Sequence, residues 1–428
     1  MRRGEGRLPS GGLSAVLAER LARHRSPGLA VHGPIRPEAF SAWLDFFRWV
    51  AAFDVLWGHT YSRYMPPYLD LAPDERSIVY LIFAFPAGFI HFAVMIFFVL
   101  SGYLVGGNLL AEVRRTNDID VARYLVRRLV RLWIVLLPAL VVTCVLDLIG
   151  LAAKPPDASL LYGPRIWETL GPGTFLCNAA FLQTVHCWEY GYNNAFWSLA
   201  NEFWYYVAWP FIAFAFVRGP KLQIRLAVVL STVACLTLLT ARQFDGRPIA
   251  SYMLIWLLGV GAAVARRPIL NMPLWLWVAI FLAATVGFRL LVRHAQSLGD
   301  PNVFLVDRAF FVDMGISFIF ANMLVAMKVA GGLRPPPGAL LHKKFAGFSY
   351  SLYAVHEPIL NCLAALVMVF LGVGVRTAPQ GPGDWSIVLA AMALATGGSY
   401  LFSLATEAHT ERARCWIMRM LAPSPARD

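Results

Sequence analysis

Long apolar stretches separated by short polar segments follow one another along this chain of 428 residues. Most of them approach the roughly 20 residues that an α-helix needs to cross the hydrocarbon core of a bilayer. They predict an all-α fold, a polytopic transmembrane helical bundle of about ten spans. The predicted spans are about 42–61, 80–106, 129–150, 196–217, 226–241, 249–265, 274–291, 309–327, 346–372 and 386–406. The second is longer than one crossing requires, and Pro86 and Gly88 favour a kink or a break in it.

The composition favours a polytopic membrane protein over a soluble enzyme with one anchor. The chain is 58% hydrophobic and 14% charged, whereas soluble domains are about one quarter charged. A net charge of +12 would suggest nucleic acid binding in a soluble protein. With the N-terminus placed in the cytoplasm, 26 of the 37 Lys and Arg residues fall inside and 9 outside, as the positive-inside rule expects. We therefore expect the lipid bilayer and no nucleic acid as a partner, in the inner (plasma) membrane with both termini cytoplasmic.

One membrane domain between two basic tails is the predicted domain organisation. Residues 1–40 contain seven arginines and no apolar core of a signal peptide, so we expect a cytoplasmic tail there. Residues 41–410 form the predicted membrane domain, and residues 411–428 the predicted cytoplasmic C-terminal tail.

The longest external loop, about 151–195, is rich in turn-forming residues. Within it, Phe175 to Val185 is apolar but too short to span, so it is expected to dip into the membrane or to cap the bundle. Cys177 and Cys187 also lie in this loop, where a disulfide and two free thiols both remain open.

The first predicted span carries two groups that are costly inside a membrane, Arg48 and His59. Eleven helical positions return to within about 20° of the start, so both side chains lie on one face, roughly 16 Å apart along the axis. An arginine and a histidine that reach the two membrane interfaces are the alternative. A desolvated imidazole tends to stay neutral, and a general base requires that form. We therefore predict His59 and Arg48 as the catalytic residues.

Four arginines lie at the cytoplasmic entry of the third predicted span. Arg123, Arg127 and Arg131 recur on one helix stripe, and Arg128 lies beside them. Arginines that only mark the cytoplasmic end of a membrane span would show the same pattern. The alternative is an anion clamp for a cytosolic cofactor with several phosphates, because guanidinium groups match phosphate oxygens in pairs.

The motif Trp197–Glu202 opens the fourth predicted span and places a carboxylate within it. Such a group is costly unless it is paired or functional. A helix cap at Ser198 and an interfacial position for Glu202 are the alternative.

Two further motifs place polar groups in spans. The ninth holds His356 and Glu357 deep in the membrane, with a kink expected at Pro358. In the second, Ser101 and Gly102 favour a close helix approach or a break. No group of residues in the sequence has the spacing of a zinc site.

These motifs, in their order along the chain, resemble the acyltransferase 3 family of integral membrane acyltransferases, which modify sugars and other hydroxyl acceptors. The resemblance covers roughly residues 41 to 410. The matching motifs are Arg48 with His59, Phe97–Tyr103, Arg128 with Arg131, Trp197–Glu202, Ser349–His356 and Glu407. The sequence departs from the family at Ile134 and His409, where proline is common, and at Phe203, where a second acid is common.

The resemblance implies an O-acyltransferase, in the simplest case an O-acetyltransferase, with acyl-CoA (acetyl-CoA) as donor and no metal. The implied acceptor is a hydroxyl of a glycan, a glycolipid or an exopolysaccharide, and lipopolysaccharide modification belongs to this class. His59 would act as general base or carry the acyl group, and Arg48 would stabilise negative charge on the donor or orient the histidine. The expected donor-binding residues are Arg123, Arg127, Arg128, Arg131 and Ser101. The expected substrate-binding residues are Glu202, Trp197, Ser198, His356 and Tyr353.

Other functions stay open. Acylation of a secondary metabolite such as a macrolide fits the same motifs. A proton-coupled transporter or flippase would use Asp54, Glu202 and His356 as a relay. A non-catalytic assembly subunit is a third class.

Overall fold

The computed structural model describes residues 38–244, 246–297, 309–379 and 381–421. Residues 1–37 and 422–428 of the two predicted tails lie outside these residues, whereas most of the predicted C-terminal tail falls in a helix, Thr410–Met420. Within them are ten helices of at least 16 residues, which we number α1 to α10. They are Glu38–Tyr64, Ile78–Thr116, Val121–Ala152, Phe196–Ala213, Leu222–Arg242, Ile249–Val264, Leu274–Ser297, Ala309–Val329, Ser349–Phe370 and Pro382–Ala405.

The predicted all-α membrane bundle is confirmed, because the described residues form helices and no strand. Seven of the described helical segments are long and apolar enough to cross a membrane: α2, α3, α5, α7, α8, α9 and α10. Helix α6 is apolar but has only 16 residues, and α1 and α4 are not among the seven. All ten helices coincide with predicted spans, while the number that crosses the bilayer stays a prediction.

Helix α2 is interrupted twice. A 3-10 turn at Pro86–Phe89 breaks its first part, at the position that proline and glycine predict. A π-helical turn follows Ser101 at Gly102–Gly106. Both interruptions lie where α2 passes other helices, and π-turns of this kind are frequent at functional sites.

The core is built around α9, which packs against α1, α3 and α10. Helix α6 packs against α2 and α8 on another side of the bundle. Helix α5 is mostly exposed, with Leu236 as its buried residue, and its exposed apolar side chains suit contact with lipid.

The backbones of α2 and α6 approach each other closely at two glycines. A Cβ atom at Gly102 would lie 1.9 Å from the carbonyl oxygen of Trp256, and one at Gly259 would lie 2.0 Å from that of Val99. Only glycine fits at both positions, and the close approach holds Ser101 beside α6.

The loop between α3 and α4 covers one end of the bundle. It contains a short helix, Pro172–Ala179, and a disulfide between Cys177 and Cys187. Phe181 is buried and stacks on Phe203 of α4 with ring centroids 4.4 Å apart. The end of this apolar segment therefore packs against α4, while its position relative to the membrane stays a prediction.

Candidate active site

Helix α1 carries both residues that the sequence predicts as catalytic, Arg48 and His59. The structure places them in two neighbouring cavities. The arginine cavity is lined by Arg48, Arg128 and Arg131. The His59 cavity is lined by His59, His91 and Arg247. Both side chains therefore face the interior of the bundle from α1, but each lines a different cavity.

His59 belongs to a chain of hydrogen bonds that runs into α9. His356 Nδ1 lies 2.9 Å from the carbonyl oxygen of Leu352 and 3.0 Å from that of Tyr353. Because a carbonyl oxygen only accepts, Nδ1 of His356 carries a proton and its Nε2 is an acceptor. His59 Nδ1 lies 2.9 Å from this Nε2 and therefore donates to it. These partners leave Nε2 of His59 with a lone pair, as a general base requires.

Glu357 gives the same histidine a carboxylate partner. Its Oε1 lies 3.2 Å from Nδ1 of His59 and 3.8 Å from Nη2 of Arg63. Its Oε2 accepts from the backbone N–H of Ala195 at 3.0 Å. A carboxylate held in this way stabilises an imidazolium on His59 once it has taken up a proton.

Neither Glu357 nor Arg63 is predicted as a site residue from the sequence. The available signal is a carboxylate deep in a predicted span, directly after a candidate histidine. Arg63 gives no comparable signal, because it lies near the end of a span, where arginines are common.

The His59 cavity has a volume of about 230 Å³. Asn194 and Ala195, from the end of the α3–α4 loop, line it together with Trp197, the second residue of α4. Tyr192, in the same loop, donates its backbone N–H to Asp147 Oδ2 at 2.9 Å. The loop is thus fixed to α3 where it lines the cavity.

The arginine cavity has a volume of about 150 Å³ and collects guanidinium groups from two helices, Arg48 from α1 and Arg128 and Arg131 from α3. Nε of Arg128 is buried without a hydrogen-bond partner among the described residues. Nη1 of Arg48 lies 3.7 Å from Asp45, and Nη2 of Arg131 lies 3.9 Å from Glu407. Guanidinium groups that converge in this way fit an anion with several oxygens, such as a phosphate.

Glu202 and Ser101 also line the arginine cavity. Ser101 donates from Oγ to Glu202 Oε1 at 2.6 Å, and Tyr206 donates its hydroxyl to the same oxygen. Trp256 Nε1 donates to Ser101 Oγ at 3.1 Å. The sequence predicts Glu202 in the acceptor site, but its position beside the arginines favours the donor side.

Tyr353 and Val94 line both cavities and form part of the wall between them. The Tyr353 hydroxyl lies 2.7 Å from Oγ of Ser198, which lines the arginine cavity. Trp197 lies on the other side, in the His59 cavity, with the Arg247 guanidinium 4.7 Å from its ring centroid. Of the predicted substrate-binding residues, Glu202 and Ser198 line the arginine cavity, Trp197 lines the His59 cavity, and Tyr353 lines both. His356 lines neither cavity and contacts His59 instead.

Arg123 and Arg127 do not line the arginine cavity, although they share α3 with Arg128 and Arg131. Arg123 lies in the first turn of α3, where Asp120 Oδ1 accepts its backbone N–H at 2.9 Å. Only two of the four predicted arginines thus reach the cavity, and the other two fit the topology signal that the sequence left open.

Comparison with known proteins identifies the family to which this chain belongs. The family model of the acyltransferase domain matches residues 41–404. The chain belongs to the acyltransferase 3 family. The resemblance that the motifs indicate is therefore confirmed, and the protein is a multi-pass membrane acyltransferase.

This acyltransferase is similar to the peptidoglycan O-acetyltransferase OatA of Listeria monocytogenes, with 28% identity over 195 residues. The similar region covers 41% of this chain and 29% of OatA. No solved structure matches the acyltransferase significantly.

Proposed function

We propose that this acyltransferase moves an acyl group, in the simplest case acetyl, from acyl-coenzyme A to a hydroxyl of a glycan or glycolipid at the inner (plasma) membrane. The proposal depends on one observation above all. The hydrogen-bond partners of His59 leave a lone pair on its Nε2 atom. His59 lines one cavity, and this cavity adjoins a second one that is lined by arginines.

The arginine cavity fits the donor. Arg48, Arg128 and Arg131 would bind its phosphates, and the unpartnered Nε of Arg128 is available for such an anion. Bound there, the donor supplies an activated thioester. Glu202, anchored by hydroxyl groups, would bind a hydrogen-bond donor of the same molecule.

The His59 cavity fits the acceptor and the reaction itself. Nε2 of His59 takes the proton of the acceptor hydroxyl, and the imidazolium that results is stabilised by Glu357. Positive-inside orientation would place the N-terminus of α1 in the cytoplasm and His59 toward the outer end. The donor then enters from the cytoplasm, and the acceptor is bound next to the α3–α4 loop.

The alternative proton relay finds less support. Glu202 lines the arginine cavity, His356 contacts His59, and Asp54 lines neither of these two cavities. The three groups do not meet in either described cavity, as a relay would require.

The test uses the full-length acyltransferase in proteoliposomes with acetyl-CoA and peptidoglycan fragments. The name of OatA makes this acceptor the first to try. We expect thiol release and an O-acetyl ester on the glycan. His59→Ala should lower turnover by roughly 10²–10⁴-fold, the usual contribution of a general base.

His186→Ala is the matched control, because His186 is an exposed histidine of the α3–α4 loop. It should keep wild-type turnover. Full turnover in His59→Ala contradicts the assigned role, and transmembrane flux without thiol release indicates a transporter instead.

A further inference from the structure

A basic helix, Thr410–Met420, follows α10 and packs against α3. The backbone of Thr406 leaves the helical region, with φ −127° and ψ −81°, and a 3-10 turn at Glu407–His409 comes next. The basic helix is therefore a separate element and not the last turns of α10.

Two contacts give the position of the basic helix along α3. Directly before it, Oε1 of Glu407 lies 3.9 Å from Nη2 of Arg131. Within it, Arg414 lies near enough to Arg127 for their like charges to repel each other. The basic helix thus follows the N-terminal turns of α3, which positive-inside orientation would place at the cytoplasmic interface of the membrane.

The two faces of the basic helix differ in exposure and in charge. The half-buried face toward the bundle consists of Ala413, Arg414, Ile417 and Met418, and the exposed outward face contains Arg412, Trp416, Arg419 and Met420. The second set recurs at i, i+4, i+7 and i+8, so its members share one stripe. Trp416 and Met420 are 61% and 67% exposed.

The arginines of the outward face differ from Arg414 in their partners. Arg414 Nη2 lies 2.5 Å from Oε2 of Glu411, which compensates its charge. Among the described residues, neither Arg412 nor Arg419 forms an ion pair. The outward face thus combines two uncompensated cations with two large apolar side chains.

An anionic lipid surface fits this combination. Helices that lie at a membrane interface carry arginine or lysine beside exposed tryptophan and other apolar side chains. Guanidinium groups match phosphate oxygens in pairs, and tryptophan is favoured at the level of the headgroups. An acidic protein would satisfy the charges, but Trp416 and Met420 at the depth of the membrane interface favour lipid.

We propose that the outward face of the basic helix binds the phosphate headgroups of anionic lipids through Arg412 and Arg419, with Trp416 among the headgroups. This proposal does not depend on the acyl-transfer function above.

The test measures lipid binding to the detergent-solubilised full-length protein by native mass spectrometry. We expect phosphatidylglycerol to bind more tightly than phosphatidylcholine. The double variant Arg412→Gln with Arg419→Gln should weaken phosphatidylglycerol binding about 25-fold, about fivefold for each arginine near a membrane surface. Its affinity for phosphatidylcholine should stay unchanged. Arg419→Gln alone should cause the fivefold loss if the double variant does not fold.

Arg242→Gln is the matched control, because Arg242 is an exposed arginine in the last turn of α5. The next residue, Gln243, bonds to Thr184 of the α3–α4 loop, at the end of the bundle opposite the basic helix. This variant should bind phosphatidylglycerol as the wild type does.

Three results would overturn the proposal. Equal affinity of the wild type for the two lipids would leave the outward face to an acidic protein. Unchanged phosphatidylglycerol binding in the double variant or in Arg419→Gln would place the lipid elsewhere. Displacement of phosphatidylglycerol by excess inorganic phosphate would show an anion site that does not select lipid.

Discussion

At the scale of single residues, the protonation of His59 is decided by neighbours that are almost 300 positions away in the chain. The backbone carbonyls of α9 fix the proton of His356, and His356 fixes that of His59. Glu357 adds a carboxylate to this group. The free-energy cost of removing its charge from water is offset by Arg63 and by the backbone N–H of Ala195. The proposed base is thus a neutral imidazole held by a second imidazole and by one compensated carboxylate.

Some of the α3 arginines line the arginine cavity and others do not, and this difference gives a prediction at the scale of single residues. Arg131→Lys replaces a planar fork in the arginine cavity by a single ammonium group, so it should raise KM for acetyl-CoA. A charge-assisted hydrogen bond contributes about 1.5–3 kcal/mol, which corresponds to roughly 10–150-fold. Arg48→Lys should act in the same direction. Steady-state kinetics in proteoliposomes measure the effect.

Arg127→Lys is the control, because Arg127 lies on the same helix outside the cavity lining. Its KM should stay close to the wild-type value. An equal rise in KM in both variants would mean that all four arginines bind the donor together, as the sequence alone allows.

At the scale of elements, the close approach of α2 and α6 positions the site. It holds Ser101 within reach of Trp256, and through Ser101 it anchors Glu202 in the arginine cavity. The π-turn that begins at Gly102 follows directly. Small residues permit this contact in a membrane, where packing replaces the hydrophobic effect as the main source of helix association.

Gly259→Ala tests this contact. The added Cβ would lie 2.0 Å from the Val99 carbonyl oxygen, so the two backbones must separate. Overpacking of this kind costs roughly 1–3 kcal/mol, and the apparent Tm of the detergent-solubilised protein should fall by several degrees.

Gly261→Ala provides the comparison on the same helix, because a Cβ at Gly261 meets no atom within 4 Å. Its Tm should equal that of the wild type or exceed it slightly, since alanine favours a helix. Equal losses in both variants would contradict the assigned contact.

At the scale of the whole molecule, two cavities meet at a common wall. The arginine cavity and the His59 cavity share Val94 and Tyr353. In the proposed reaction, the acyl end of a donor bound by the arginines must pass this wall to reach His59. The wall is therefore expected to limit the length of the acyl chain.

Val94→Ala should widen that wall and raise the rate with butyryl-CoA relative to acetyl-CoA severalfold. A methylene group in a hydrophobic pocket alters selectivity by about 10–200-fold, which sets the upper range of the effect. The ratio of the two kcat/KM values is the measurement.

Val99→Ala makes the same change on the same segment of α2, at a buried residue that lines neither of the two cavities. Its selectivity ratio should stay at the wild-type value. If the selectivity ratio changes equally in both variants, the effect comes from general loosening of α2 and not from the wall between the cavities.

The sequence by itself determined the helices and the family. Apolar runs of membrane length predict helices at the ten places where the structure has them, because hydrocarbon leaves few other ways to satisfy the backbone. The helical period correctly places Arg48 and His59 on one face of α1. The ordered motifs identify the family without any tertiary information.

Only the tertiary structure decided which groups act together. It separated Arg48 from His59, moved Glu202 beside the arginines, and paired His91 with Asp313 across 222 positions of sequence. Periodicity describes one helix at a time, whereas these contacts depend on how helices distant in the chain pack. For that reason a lone intramembrane carboxylate such as Asp313 signals importance in the sequence but does not reveal its partner.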